Sequence, residues 1–483
     1  MTTTIKQIAR FLGPLVGIGL PLLIDIPGHQ HADVMLGVVL WMAIWWLTEC
    51  VPLAVTALLP LILFPLSGIA SAKETAPRYM SSIMFLFVGG FLIAQAMERC
   101  GLHQRIALVI LARLHRSPVQ ILLGFALTTA FLSMWISNTA TTMLMVTIAV
   151  AVLSRLDKLF DQKTMLLLSS TLLLAIAYSA NIGGMGTPVG TVPNFVFLEN
   201  IRLVDPALVP SFMQWMMVGV PLVIVGIVMV VVLLGRRVKN IPWPKRAMDG
   251  VHDELASLGT MGRDEKFVAW VLGLTALAWM TRKGISGDSF SIPGWQSLLP
   301  YPGVDDATVA MLAALFLFLI PIRDGKPILG HKAIARLPWE ILILLGGGFA
   351  LAMGMMNSGL SQWIGEQLAF LSIVPLPLML LGIALVITFL TEVTSNTATT
   401  QVMLPVLAAV ATVAGMDVTQ VLLVATLAAS CAFMLPVATP PNAIIFGTER
   451  VTMAAMMRVG IRLNIIMPLV IIAVVMLLRG VMP

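Results

Sequence analysis

One hexapeptide, Ser-Asn-Thr-Ala-Thr-Thr, occurs twice in the chain, at residues 137–142 within MWISNTATTMLM and at residues 395–400 within EVTSNTATTQVM. Both copies lie inside long apolar runs, where hydroxyls and an amide are costly to bury without partners. Any fold open to this chain must therefore give two equivalent polar clusters a place inside an apolar body.

That body is a membrane protein. Hydrophobic residues make up 59% of the chain and charged residues 11%, whereas soluble domains carry about a quarter charged residues. Apolar stretches of about 17–25 residues, each enough for a helical crossing, recur along nearly the whole length, and a barrel would need short alternating segments instead. The expectation is an all-α polytopic membrane protein, with lipid as solvent and no nucleic-acid partner. The N-terminal MTTTIKQIARFLGPLVGIGLPLLIDIPG has the basic start and apolar centre of a signal peptide but no small-residue cleavage site, so it reads as the first span. Cys50, Cys100 and Cys431 are far apart and without histidines at ligand spacing, which argues against a disulfide framework or a zinc site. The histidines (His29, His31, His103, His115, His252 and His331) fall in polar connections.

The distribution of Lys and Arg sets orientation. Placing the N-terminus inside puts 23 of the 29 basic residues in segments 1–10, 98–118, 154–164, 235–266, 321–337 and 449–462. The spans then fall near 10–27, 35–49, 51–69, 80–98, 164–199, 212–235, 266–281, 304–322, 338–366, 418–447 and 459–480, eleven in all, with the C-terminus outside. Two apolar stretches remain. Segment 118–154 is flanked on both sides by basic residues (Arg113 and Arg116 before it; Arg155, Lys158 and Lys163 after it), and 372–411 by none. Each reads as a re-entrant hairpin, one entering from the inner side and one from the outer, with the hexapeptide near its middle.

The repeat extends further. VGGFLIAQAMERCGL (88–102) matches GGGFALAMGMMNSGL (346–360) at the same shift of 258 residues that relates Ser137 to Ser395, and PVGTVPN (188–194) matches PVATPPN (436–442) at a shift of 248. Equal motif order with opposite membrane entry is the signature of inverted repeats in secondary transporters. The halves are thus 1–235 and 266–483, joined by a polar cytoplasmic linker at 236–265.

The segment SANIGGMGTPVGTVPN (179–194), with four glycines and two prolines, cannot continue a helix, and MLPVATPPNAI (434–444) is its counterpart. Broken backbone at membrane depth is tolerated where it lines a cavity. Ser137 and Ser395 suit the N-cap of each hairpin's second arm, whose N–H groups and positive dipole end favour an anion. Leftover carbonyls and Ser or Asn oxygens suit a hard cation. Between Val119 and Ser154 there is no Lys, Arg, Asp, Glu or His, so a bound dianion would need cations to neutralise it. Glu392, whose counterpart at the same shift is Met134, is either a ligand in the cavity or an acceptor fixing the hairpin tip from outside it. Glu49 reads as interfacial and structural. Met-rich stretches such as MGMMN are packing filler.

At these residues, and in WWLTECVPLAVTALLPLILFPL and LGTMGRDEK, the chain resembles the divalent anion/sodium symporter family over nearly its full length. The resemblance implies a homodimer with scaffold and transport domains, working as an elevator in the cytoplasmic membrane of a bacterium and importing succinate, malate, fumarate, citrate or similar carboxylates with sodium. It places one sodium site on Ser133, Ser137, Asn138 and the backbone of Gly186, and another on Thr391, Ser395, Asn396 and the backbone of Ala438. Substrate carboxylates would meet Asn138, Thr139 and Thr187 from one half, and Asn396, Thr397, Thr439 and Pro440 from the other. Val192 departs from the family, where many relatives have Pro. After Ser-Asn-Thr both copies continue Ala-Thr-Thr, which resembles the sodium-coupled branch, whereas sodium-independent exchangers, the alternative, tend to carry a basic residue close after Ser-Asn-Thr. An intramembrane enzyme would need paired aspartates or His-Glu-x-x-His, and neither occurs. A channel fits two occludable tips less well than alternating access does.

Overall fold

The computed structural model describes residues 3–482 except 115, 158, 245–247, 288–289, 302, 324, 369 and 371–372. His115, Lys158, Lys245 and Arg246, used in the readings above, lie outside the described residues, as does the first residue of the 372–411 segment. The described chain is helical, apart from two short antiparallel ribbons in connecting segments. These pair Gly284–Gly287 with Phe290–Pro293 and Pro321–Arg323 with Lys326–Pro327, and periodicity had given no sign of either.

Seven helices among the described residues are long and apolar enough to cross a membrane. They include Asn138–Leu156, Gln162–Gly183, Phe212–Val238 and Met453–Leu477. Shorter apolar helices, such as Ala32–Thr48, Pro118–Ser133 and Leu376–Leu390, stand between them. Helix ends follow local chemistry. Phe212–Val238 opens with a capping box between Ser211 and Gln214 and closes on Arg236 and Arg237, which satisfies its first N–H groups and complements its negative end. Two expected single spans are interrupted. The 338–366 stretch is Trp339–Asn357 followed by Leu360–Gln367, turned by Gly359 at φ 76°. The 51–69 stretch divides into Leu53–Thr56 and Leu59–Ser67, with Pro52 before the first and Pro60 near the start of the second.

The two repeats are visible as the same three pieces in the same order. In the first half the arms Pro118–Ser133 and Asn138–Leu156 precede Gln162–Gly183, a break, and Val192–Val204. In the second the arms Leu376–Leu390 and Asn396–Val413 precede Val418–Ala429, a break, and Pro440–Phe446. Each pair of arms packs on the helix that leads into its own break. The second break begins earlier than the sequence implied, because the helix stops at Ala429 rather than near Met434. A smaller buried cluster, including Met35, Trp46, Phe64 and Leu351, joins the Ala32–Thr48 helix to Trp339–Asn357.

The polar linker is fastened to the first half by Arg105. Its guanidinium donates to Glu265 at 2.8 and 3.1 Å, to Gly259 O at 2.9 Å and to Leu258 O at 3.1 Å. Burial alone would push the Glu265 carboxyl up, but the Arg105 side chain and the Gly262 N–H hold it below its usual value. A depressed carboxyl stabilises the folded form above the unfolded pKa and loses that contribution as pH falls through the folded one. Linker protection in hydrogen exchange should accordingly weaken below about pH 4.5. In Arg105→Ala it should already be weak at neutral pH.

Candidate functional site

Each hairpin tip joins its arms through an extended turn. Ser137 (φ −59°, ψ 143°) accepts the Ala140 N–H at 3.2 Å and so caps the second arm. Ser395 holds the same backbone position (φ −67°, ψ 134°), but its hydroxyl makes no cap. The expected side-chain cap is therefore corrected for Ser395. The neighbouring Thr394 hydroxyl engages Thr399 Oγ1 at 2.6 Å instead, leaving the first N–H groups of this arm for another acceptor.

The breaks match atom for atom. Asn194 Nδ2 donates to Gly184 O at 3.0 Å and Thr187 O at 2.8 Å. Its counterpart, Asn442 Nδ2, donates to Ala432 O at 3.1 Å and Leu435 O at 3.0 Å. All three pairs of positions keep the shift of 248. An amide thus replaces the helical hydrogen bonds that the unwound carbonyls lack.

Close approach demands glycine in the first break. A Cβ on Gly184 would stand 2.8 Å from Asn138 Oδ1, and one on Gly183 would collide with the backbone of Ala130 in the first arm. Gly184→Ala should therefore displace Asn138 and cut transport at least tenfold while leaving the protein folded, as read from initial uptake rates beside a detergent melting curve.

Where each tip meets its broken helix, oxygens crowd round a single hydroxyl. Ser133 Oγ lies 2.6 Å from Asn138 Oδ1 and 2.8 Å from Ala180 O. Thr391 Oγ1 lies 2.5 Å from Asn396 Oδ1 and 3.1 Å from Ala429 O. A hydroxyl has one proton, so in each cluster two acceptors compete for it. An all-oxygen, charge-free set of this kind suits a hard monovalent cation.

A cavity of about 810 Å³ opens onto both tips and both breaks. It is lined by Ser137, Asn138, Thr139, Ser395, Asn396, Thr397, Ala438, Thr439 and Pro440, which the structure thus brings together. Ser133, Thr391, Gly186 and Thr187 are buried behind this lining. Thr187 donates to Met134 O at 2.6 Å, whereas Thr191 lines the cavity. Thr191 and Gly190, not Thr187 and Gly186, are the repeat partners of Thr439 and Ala438, so strict use of the 248-residue shift would have found them. Asn181 also lines the cavity. Lys6 and Glu49 line it too, the latter at φ 47° beyond the end of Ala32–Thr48.

Glu392 does not line the cavity. Its carboxylate is buried and accepts the N–H groups of Phe433 (2.7 Å), Met434 (2.8 Å) and Leu435 (2.9 Å) and the Asn464 amide (2.6 Å). It anchors the second break from behind. In the first half the equivalent link is the reverse, a Thr187 hydroxyl donating to the backbone of Met134.

A helical, membrane-type fold with one cavity shared by paired polar tips and paired breaks defines a transporter. The chain belongs to the sodium:sulfate symporter transmembrane family, the divalent anion/sodium symporters, which it matches over residues 6–482. It is 38% identical over 484 residues to the sodium-dependent dicarboxylate transporter SdcS of Staphylococcus saprophyticus, covering 97% of this chain and 91% of that protein. The SdcS of Staphylococcus aureus strain USA300 is also 38% identical, over 97% of this chain and 90% of its own. Among solved structures, Neisseria gonorrhoeae MtrF, described with a class of antimetabolite efflux pumps, superposes with a TM-score of 0.55 at 12% identity, over 86% of this chain and 83% of that one. That likeness is one of fold.

Proposed function

We propose that this protein is a sodium-coupled importer of C4-dicarboxylates such as succinate, malate and fumarate, or of citrate-like carboxylates, across the cytoplasmic membrane of a bacterium. One observation carries the reading: the two Ser-Asn-Thr tips and the two proline-bounded breaks line a single cavity, with an oxygen cluster behind each tip. The 38% identity to sodium-dependent dicarboxylate transporters supplies the cation and the substrate class.

In this reading sodium ions are cargo. Ser133, Ser137 and Asn138, with backbone oxygen from the first break at Gly186, hold one; Thr391, Ser395, Asn396 and backbone oxygen at Ala438 hold the other. The carboxylates are received by Asn138 and Thr139 on one side and by Asn396, Thr397, Thr439 and Pro440 on the other. Thr191 takes the first-half place given to Thr187 in the sequence. The uncapped second arm presents its N–H groups to one carboxylate. With no fixed positive charge at the tips, cation binding makes the site attractive to a dianion, and that is the coupling.

The protein would work as a homodimer of eleven-span protomers, each with two re-entrant hairpins moving with the transport domain as an elevator. With the N-terminus inside, Lys6 at the cavity edge means that the cavity opens to the cytoplasm. The test is uptake of radiolabelled succinate into proteoliposomes with and without an inward sodium gradient. Uptake only with sodium supports the symporter; sodium-indifferent uptake that needs internal dicarboxylate would mean an exchanger and remove the cations from both clusters.

A further inference from the structure

Asn181 has no role in the reading above, yet it occupies a singular place. It is 1% exposed and lines the cavity. Its backbone neighbour Ala180 supplies the carbonyl of the first oxygen cluster. Its side chain reaches across the repeat boundary, Nδ2 lying 3.2 Å from Ala432 O and 3.2 Å from Thr439 Oγ1. The carbonyl of Ala432 can only accept, so the donor end of the amide is fixed on the second break. The opposite end, Oδ1, has no protein partner. Thr439 Oγ1 in turn accepts the Asn442 N–H and caps the helix leaving that break, next to Ala438. The hydroxyl contacts match the Ala180 carbonyl with that of Ala429, and so Asn181 with Ser430, one residue off the 248-residue shift, which pairs Asn181 with Ala429. Ser430 Oγ makes no protein hydrogen bond, and the link runs one way.

We propose that Asn181 is a positioning residue that couples the two cation sites, transmitting the geometry of the first oxygen cluster to Thr439 and the second break. A cation drawing in Ala180 O shifts the adjacent residue, and Asn181 passes that shift to the hydroxyl and carbonyl that it holds. Coupling between two sites is reciprocal, so each cation raises the affinity for the other. The proposal rests on the reading that both clusters hold sodium.

The test is the sodium dependence of succinate uptake in proteoliposomes for wild type, Asn181→Leu and Asn181→Ser. Leucine keeps the volume and removes both hydrogen bonds; serine is too short to span them. The wild-type activation curve should be steeper than that of two independent sites that must both be filled, and in both variants it should relax to that uncoupled curve. A wild-type curve no steeper than the uncoupled one overturns the proposal without any variant. So does a folded variant that loses rate but keeps the wild-type steepness, since that is what a merely structural amide would give. Wild-type uptake indifferent to sodium refutes the symporter reading itself, a separate failure.

Discussion

Glu392→Ala should leave a protein that no longer folds stably, with the largest loss of any single side chain named above. Four donors converge on this carboxylate, three of them backbone N–H groups of the second break. Backbone donors in an unwound segment have no helical acceptor to fall back on, and each buried donor left unsatisfied costs about 1–3 kcal/mol. Four such donors come to about 4–12 kcal/mol, a large share of what holds any single domain together. Glu392→Gln keeps the shape and one acceptor oxygen, but its new NH₂ group confronts a donor. Its loss should be about 1–3 kcal/mol. Melting of the purified protein in detergent decides the matter. An alanine variant that melted like wild type, and still transported, would place Glu392 outside the framework.

Asn138→Ala and Asn396→Ala should each abolish transport while melting normally. These side chains stand at the cavity wall with Oδ1 directed at the hydroxyl of the adjoining oxygen cluster. In the proposed function each therefore serves a cation and a carboxylate together. Losing hydrogen bonds to charged partners of about 1.5–3 kcal/mol each lowers uptake roughly a hundredfold or more. Partial exposure of both residues means that little folding energy is at stake. The two variants should be similarly impaired, because their environments repeat. Active variants in initial-rate assays would take Asn138 and Asn396 out of the site.

Most of this architecture can be read from the chain, because the repeat announces itself. A duplicated hexapeptide and a second pair of motifs at nearly the same shift locate two tips and two breaks, and all four line one cavity. Gly183 and Gly184 mark the first break in the sequence. The second starts at Ser430 in a stretch, AASCAFML, with neither glycine nor proline. What unwinds it there is a carboxylate some forty residues earlier, capturing three N–H groups, a tertiary effect that local propensity cannot register. Ser395 shares the backbone of Ser137 but makes no side-chain cap, and nothing in the structure explains the difference. The resemblance assigned Thr187 to the carboxylates, whereas the structure buries it behind the cavity lining and the 248-residue shift pairs it with Leu435. Asn181 left no trace in the repeat, since neither Ala429, its partner at the 248-residue shift, nor the adjacent Ser430 is an asparagine.

The shared proton in each oxygen cluster bears on release. A carrier is useful only if it lets go, and a rigid cage of bare carbonyl oxygens would leave repelling dipoles behind each departing ion. In the proposed function the Ser133 and Thr391 hydroxyls would swing back onto an amide or a carbonyl oxygen as an ion leaves, recovering part of the lost attraction. Binding is weakened by the same amount, because the ion must first break that hydrogen bond. The clusters are thereby biased towards rapid exchange over tight capture, a property that turnover demands and that sodium, abundant outside most cells, can tolerate.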